Sequence, residues 1–212
     1  MGTRLTVTGK EQTTLRGSLS VAAGAASPID VIWQNPGLLR VTISGSESRV
    51  LSFDGATPAA SDRTLSATDS DLLEMLTDDY PDAFFVSLAR GRAGFRFLGG
   101  RFRADTGATK DYAGPYYTIY QKAGLVPSRK AAAQKFYLFD SATGLLSKVR
   151  YVRTDGKTTV PVEVRYSNWQ TAEGEQFPGS IVRVSQGKPE ITLNFSSFSI
   201  APAAETSVFK QQ

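Results

Sequence analysis

The chain predicts a mainly β fold (α+β): one large curved antiparallel sheet, open or a half barrel, with a short helical lid inserted near residues 69–90. Three observations carry this. Apolar and polar residues alternate with period two through most of the 212 residues, as strands with one buried and one wet face require. Turn chemistry separates the alternating runs. One stretch alone changes to helical spacing.

The elements follow in order. Leu5 and Val7 alternate with Arg4, Thr6 and Thr8, and Leu15, Gly17, Leu19 and Val21 alternate with Arg16, Ser18 and Ser20. Ala22–Pro28 is small and turn-like. Ile29–Gln34, Leu38–Ser44 and Arg49–Phe53 read as strands, separated by Asn35-Pro36-Gly37 and closed by Asp54-Gly55. Ala56–Thr68 reads as a loop. Thr68 then stands as a capping residue three positions ahead of Asp71. Leu72, Leu73, Met75, Leu76, Ala83, Phe84 and Leu88 follow helical spacing, and Pro81 disfavours helix at Tyr80. Two short helices are expected, about 70–78 and 82–90, with Asp69, Asp71 and Glu74 near the first N-terminus, where negative charge is favoured.

Gly91–Arg103 returns to alternation, Ala104–Gly114 reads as loop, Tyr116–Gln121 as strand and Ala123–Ala133 as loop. A meander over about 136–200 follows: Phe136–Phe139, Leu145–Arg153, Val160–Trp169, Gly179–Gln186 and Ile191–Ile200. Its breaks are Asp140–Gly144, Thr154–Lys157, Glu173–Glu175 and Gln186–Pro189. Asp-Gly between alternating runs favours a hairpin, because the turn needs positive φ and Gly adopts it freely. Residues 201–212 read as a tail. The whole, 1–212, is expected to be a single domain. Two short helices are small cover for so many strands, so the sheet either closes as a barrel or stays open with a cavity under the helices.

Composition removes whole classes of chemistry. There is no Cys and no His, which excludes disulfides, thiolate sites, thiol nucleophiles and the commonest metal ligand and general base. The net charge of +4 is too weak to argue for nucleic acid. No apolar run approaches the ~18 residues of a membrane-spanning helix. Met1-Gly2 leads straight into a strand-like run, so a signal sequence is expected to have been removed ahead of residue 1.

Ala89–Arg103 is the most conspicuous segment, with Arg90, Arg92, Arg96, Arg101 and Arg103 among Phe95, Phe97 and Phe102. A nucleic-acid surface is one reading. A half-buried strand pair with Phe inward and Arg outward accounts for the same pattern. An intermediate reading has the arginines meeting anionic lipid headgroups or an acidic partner. Asp69, Asp71, Glu74, Asp78, Asp79 and Asp82 lack the spacing of a calcium loop and read as charge on a solvated helix face. Ser207-Val-Phe-Lys210 matches Ser-x-x-Lys without a companion motif. No catalytic residue, metal site or cofactor is expected.

What remains is an apolar set: Trp33, Phe53, Leu72, Met75, Leu76, Phe84, Phe85, Leu88, Phe95, Phe97, Tyr117 and Ile119. Singly each reads as core. Together they suit a pocket for acyl chains, where each buried methylene contributes about 0.8 kcal/mol and a long chain on the order of 10 kcal/mol before ordering costs.

Several runs carry a resemblance: Tyr137-Leu-Phe-Asp140, Gly144-Leu-Leu-Ser-Lys-Val149, Val162-Glu-Val-Arg-Tyr-Ser167, Gly174-Glu-Gln-Phe-Pro178 and Ile191-Thr-Leu-Asn-Phe195, with Leu5-Thr-Val-Thr-Gly-Lys10 at the start. In this order they resemble the bacterial outer-membrane lipoprotein carrier and receptor superfamily (LolA/LolB-like). The resemblance implies an open curved sheet under a helical lid. It also implies a hydrophobic cavity for lipid or lipoprotein acyl chains, a periplasmic or outer-membrane location, and no enzymatic activity. The family normally has a helix ahead of its first strand, whereas this sequence starts at the strand, so either that helix has been removed or the lid is smaller. No binding residue of the family is carried over to a position of this chain. The alternative is a protein-interaction or regulatory module on the same scaffold with a filled core, meeting an envelope protein partner through the Arg90–Arg103 edge.

Overall fold

The computed structural model describes residues 11–34, 37–45, 48–61, 64–89, 94–99, 116–122, 134–155 and 158–209. Among these, twelve strands form one antiparallel sheet. They are β1 (Glu11–Val21), β2 (Ser27–Gln34), β3 (Leu38–Ile43), β4 (Arg49–Asp54), β5 (Pro58–Ala60), β6 (Gly94–Gly99), β7 (Tyr116–Lys122), β8 (Gln134–Asp140), β9 (Leu146–Asp155), β10 (Thr158–Ala172), β11 (Glu175–Ser185) and β12 (Lys188–Pro202). The spatial order is β5-β4-β3-β2-β1-β12-β11-β10-β9-β8-β7-β6. Every pair of neighbours is consecutive in the chain except β1 and β12, which meet in the middle. The sheet is open, with β5 and β6 at its ends.

Alternation sets which face is buried. Leu15 and Leu19, Ile29, Val31 and Trp33, Leu39, Val41 and Ile43, Val149, Val162 and Val164, Ile181, Ile191, Leu193 and Phe195 all belong to one apolar core. Turns follow the expected chemistry. After β8, the Asp140 carboxylate accepts from the amides of Ala142 (3.0 Å) and Thr143 (2.8 Å), and Gly144 takes a φ of 70°. Gly17 sits where the β1–β12 register shifts. A Cβ there would lie 1.9 Å from the Asn194 carbonyl oxygen, so the two central strands can approach only because the residue is Gly.

The lid begins with α1 (Ala67–Glu74), runs directly into one π-helical turn (Met75–Asp79) and, after Tyr80, continues as α2 (Pro81–Ala89). Pro81 stands first in α2, where its missing N–H costs nothing. The lid also proves that the sheet is strongly curved. Tyr80 meets Trp33 of β2 with ring centroids 4.1 Å apart, and Phe84, one helical turn on, meets Phe95 of β6 at 5.2 Å. In a flat sheet those two strands would lie eight spacings apart, about 38 Å. One turn of helix spans a small fraction of that, so the sheet wraps around its lid.

Three expectations need correction. The capping residue is Ser66, not Thr68: its hydroxyl accepts from Asp69 N at 3.0 Å while Ser66 N donates to the Asp69 carboxylate at 3.3 Å. The box therefore closes two residues earlier and the helix takes in Ala67 and Thr68. The 56–68 stretch is not all loop, since Pro58–Ala60 pairs with Leu51–Phe53. Residues 201–212 are not simply a tail. Thr206–Phe209 forms a 3₁₀ turn with Phe209 fully buried, and Arg40 donates to the Val208 carbonyl at 2.8 Å. An apolar aromatic near the end of a chain gains too much by burial to stay in water. The strand expected at Arg4–Thr8, the loops at 104–114 and 123–133, and Arg90, Arg92, Arg101 and Arg103 lie outside the described residues.

Candidate functional site

The inner face under the lid has an apolar part and a polar part. In the apolar part, Trp33, Leu72, Met75, Leu76 and Phe84 are buried, and Phe53, Phe85, Phe95 and Ile119 pack half-buried against the same core. Phe84 is its aromatic hub, touching the rings of Phe85, Phe95, Tyr137 and Phe139. The three remaining residues of the expected pocket lie open: Leu88 is 48%, Phe97 66% and Tyr117 45% exposed. Phe97 follows Phe95 by two positions, and Tyr117 precedes Ile119 by two. Both therefore share the inner-face parity of residues that pack on the core. Their rings lie 6.2 Å apart. The apolar inner face thus runs out beyond the lid at the β6–β7 end.

The polar part lies where β8–β11 pass under the first half of the lid. The π-helical turn delivers Asp79 into the interior. There its carboxylate accepts from Lys135 Nζ at 2.6 Å and from the Tyr151 hydroxyl at 2.9 Å. The Tyr166 hydroxyl donates to the Asp79 carbonyl, and Lys135 also reaches the Asp78 carbonyl at 3.4 Å. About two turns earlier in the lid, Asp71 Oδ1 accepts from Arg153 at 2.8 Å. The wholly buried Arg183 donates to the Asp71 carbonyl at 3.0 Å and lies 3.5 Å from its carboxylate. Nε of Arg183 stands 3.6 Å from Glu190. Behind Lys135, Tyr137 donates to Gln121 at 2.7 Å. At the opposite, β4 side, Arg49 pairs with the buried Asp69 at 3.0 Å.

The acids of the lid are therefore not a solvated face. Asp69 and Asp79 are buried, and each is held by a cation from the sheet. The spacing contains this result: Asp69, Leu72, Leu76 and Asp79 follow one another at three and four residues, so both acids share the apolar stripe. Their partners were equally marked by parity. Lys135 aligns with Tyr137 and Phe139, Arg153 with Val149 and Tyr151, and Arg183 with Ile181. What the sequence lacks is any local signal that joins Asp79 to a lysine in another part of the chain.

The electrostatics say what this cluster can do. Burial works against the charge on Lys135, but Asp79, with Tyr137 and Asp78, outweighs it and raises its pKa. Paired with the Asp79 carboxylate at 2.6 Å, the side chain is held as an ammonium. Burial pushes the phenols of Tyr137, Tyr151 and Tyr166 upward, and Asp79 adds to it, so they act as neutral hydrogen-bond donors. Glu74 is different. Burial and the nearby Asp79 carboxylate push it up to about 7, against the pull of Arg183 and Lys135. Asp69 goes the other way: burial opposes its ionisation, but the Ser66 hydroxyl and Arg49 hold it below the ordinary range. Among the described residues no group of three or more acids is arranged to hold a metal ion.

No protein-family model and no curated protein sequence matches the chain. Solved structures match it in fold. It is similar to a LolA superfamily protein from Nitrosomonas europaea, with a TM-score of 0.61 and 13% identity over 95% of this chain and 90% of that one. It is similar to an outer-membrane lipoprotein-sorting protein domain from Vibrio parahaemolyticus, with a TM-score of 0.55 and 8% identity over 93% and 88% of the two chains. It is also similar to a DUF1329 family protein from Desulfovibrio piger, with a TM-score of 0.56 and 7% identity over 97% and 91%. The architecture is shared nearly end to end. At such identities the likeness concerns the fold and no individual residue.

Proposed function

We propose that this chain is a non-enzymatic binding protein of the bacterial envelope that holds acyl chains of a lipid or lipoprotein against the apolar inner face of its sheet. The observation that carries the reading is the inner face at β6–β7, where aromatic side chains of core parity stand uncovered by the lid. An elongated apolar ligand could lie there and continue under α2. Each methylene it buries contributes about 0.8 kcal/mol; Phe and Leu offer it surface without polar groups to desolvate, and Tyr117 offers the face of its ring. The LolA superfamily and lipoprotein-sorting neighbours in fold support the same ligand class. The binding face would comprise the exposed Leu88, Phe97 and Tyr117 and the half-buried Phe85, Phe95 and Ile119, with the buried Phe84 behind them. Trp33, Phe53, Leu72, Met75 and Leu76 would be reached only if the lid moved. No helix among the described residues is long and apolar enough to cross a membrane.

One observation favours a second reading. The lid is fastened on both sides and packs against β2 and β6 at ring-contact distance, as it would in an interaction module with a filled interior. Native mass spectrometry after mild purification separates the two, followed by titration with a fluorescent fatty acid. A co-purified lipid, or saturable uptake of the probe that falls in Phe97→Ser/Tyr117→Ser, supports acyl binding. A ligand-free protein that ignores the probe sinks it and leaves the module.

A further inference from the structure

Apolar side chains exposed singly are ordinary on a protein surface, whereas contiguous patches mark contact surfaces. Of the four large apolar residues exposed among the described residues, Phe97 and Tyr117 lie on the neighbouring strands β6 and β7, Leu88 on the last turn of α2 and Val152 on β9. Phe97 and Tyr117 are in contact with each other. Arg96, between Phe95 and Phe97, is exposed as well. The chain that contains these two strands is strongly biased in charge. From 90 to 130 it carries nine Lys and Arg against two Asp, whereas the whole chain is only +4, so the remainder is net negative.

We propose that the β6–β7 end docks on a membrane surface rich in anionic phospholipid, with Phe97 and Tyr117 entering the interface and Arg96 among the headgroups. β6 is the edge strand, with Phe97 on its inner face and Arg96 on the other. An edge-on approach therefore lets the rings settle at the headgroup level while the cation gains from the negative surface potential. A single-stranded nucleic acid would also use basic and aromatic groups. Here, however, the rings share the face of an apolar core with Phe84, Phe95 and Phe139, and that continuity favours hydrocarbon over bases. Such docking builds on the acyl-binding role, because it places the uncovered face against the bilayer from which a chain would be drawn. It does not depend on capture of a free ligand.

The test is co-sedimentation of the full chain with vesicles of phosphatidylcholine alone and of phosphatidylcholine mixed with phosphatidylglycerol, at low and high salt. Binding is expected only to the mixed vesicles and should weaken with salt. Arg96→Gln should lower it about fivefold, the worth of one cation at a charged surface. Phe97→Ser/Tyr117→Ser should lower it about tenfold or more. All three side chains are exposed, so unchanged thermal unfolding is expected and checks that the fold survives. Equal binding to both vesicles, binding to neither, indifference to all three substitutions, or tighter retention on single-stranded DNA would each overturn the proposal. Fatty-acid titration without vesicles keeps this apart from the acyl-binding reading: an unaltered chain that takes up the probe but binds neither vesicle rejects docking alone, and Arg96→Gln should leave uptake unchanged.

Discussion

The two flanks of the lid are held by opposite means. Toward β1–β4 the contact is apolar, with Tyr80 against Trp33 and one ion pair, Arg49–Asp69, at the start of α1. Toward β8–β11 the lid is tied by Asp71 and Asp79 to Arg153, Arg183, Lys135, Tyr151 and Tyr166. Apolar packing is tolerant of small shifts and loses contact gradually. A buried charge network is not tolerant: taking away one member leaves the other charged and dry. The second flank therefore specifies the position of the lid, whereas the first mainly contributes cohesion.

The contrast predicts different responses to substitution. Asp79→Ala should have the largest effect, about 3–5 kcal/mol in urea unfolding, because Lys135 would be left buried without its carboxylate. Joint replacement, Asp79→Leu with Lys135→Met, should recover most of that loss. If it recovers nothing, the pair is not what matters there. Leu76→Ala, a fully buried apolar position, should cost about 3 kcal/mol with no such rescue.

A smaller effect concerns pH. The Glu74 carboxyl has a pKa of about 7 when folded against 4.5 for an ordinary Glu. Between those values the folded chain binds more protons than the unfolded one, so stability from this group falls as pH rises through the window and stays lower above it. Glu74→Gln should flatten that fall and stabilise the protein by about 1–2 kcal/mol above pH 7, allowing for partial exposure. Asp69 has the reverse sign. Its pKa is lowered, so its contribution is present above the ordinary value and is lost only in acid. The smallest effect is Ser66→Ala, about 1 kcal/mol from the broken capping box, read from the same urea curves.

The sheet was legible because strands, hairpin turns and the change of period near residue 69 are local patterns. Asp140 and Gly144 announce their turn within five residues. The helical lid over a sheet was legible for the same reason, whereas alternation left the sheet either closed or open and the open form rested on the resemblance. The polar flank was not, because its bonds join residues 56 to 112 positions apart and no short window contains both partners. Treating each acid as a surface charge hid a clue that was present, two carboxylates in register with leucines. The rim could not be told from the core by alternation alone: Phe95 and Phe97 share parity, and only the length of the lid decides that one is covered and the other is not.

Because β1 and β12 adjoin at the middle of the sheet, nearly all of the described chain hangs as a single closed loop from that seam. The entropy of shutting so long a loop grows only slowly with its length, yet the search for it is slow. The meander β6–β12 and the smaller meander β1–β5 are each made of neighbours in the chain and can zip up independently. The seam is therefore expected to form last, and its loss would leave two half-sheets, each with an unsatisfied strand edge to offer to another molecule.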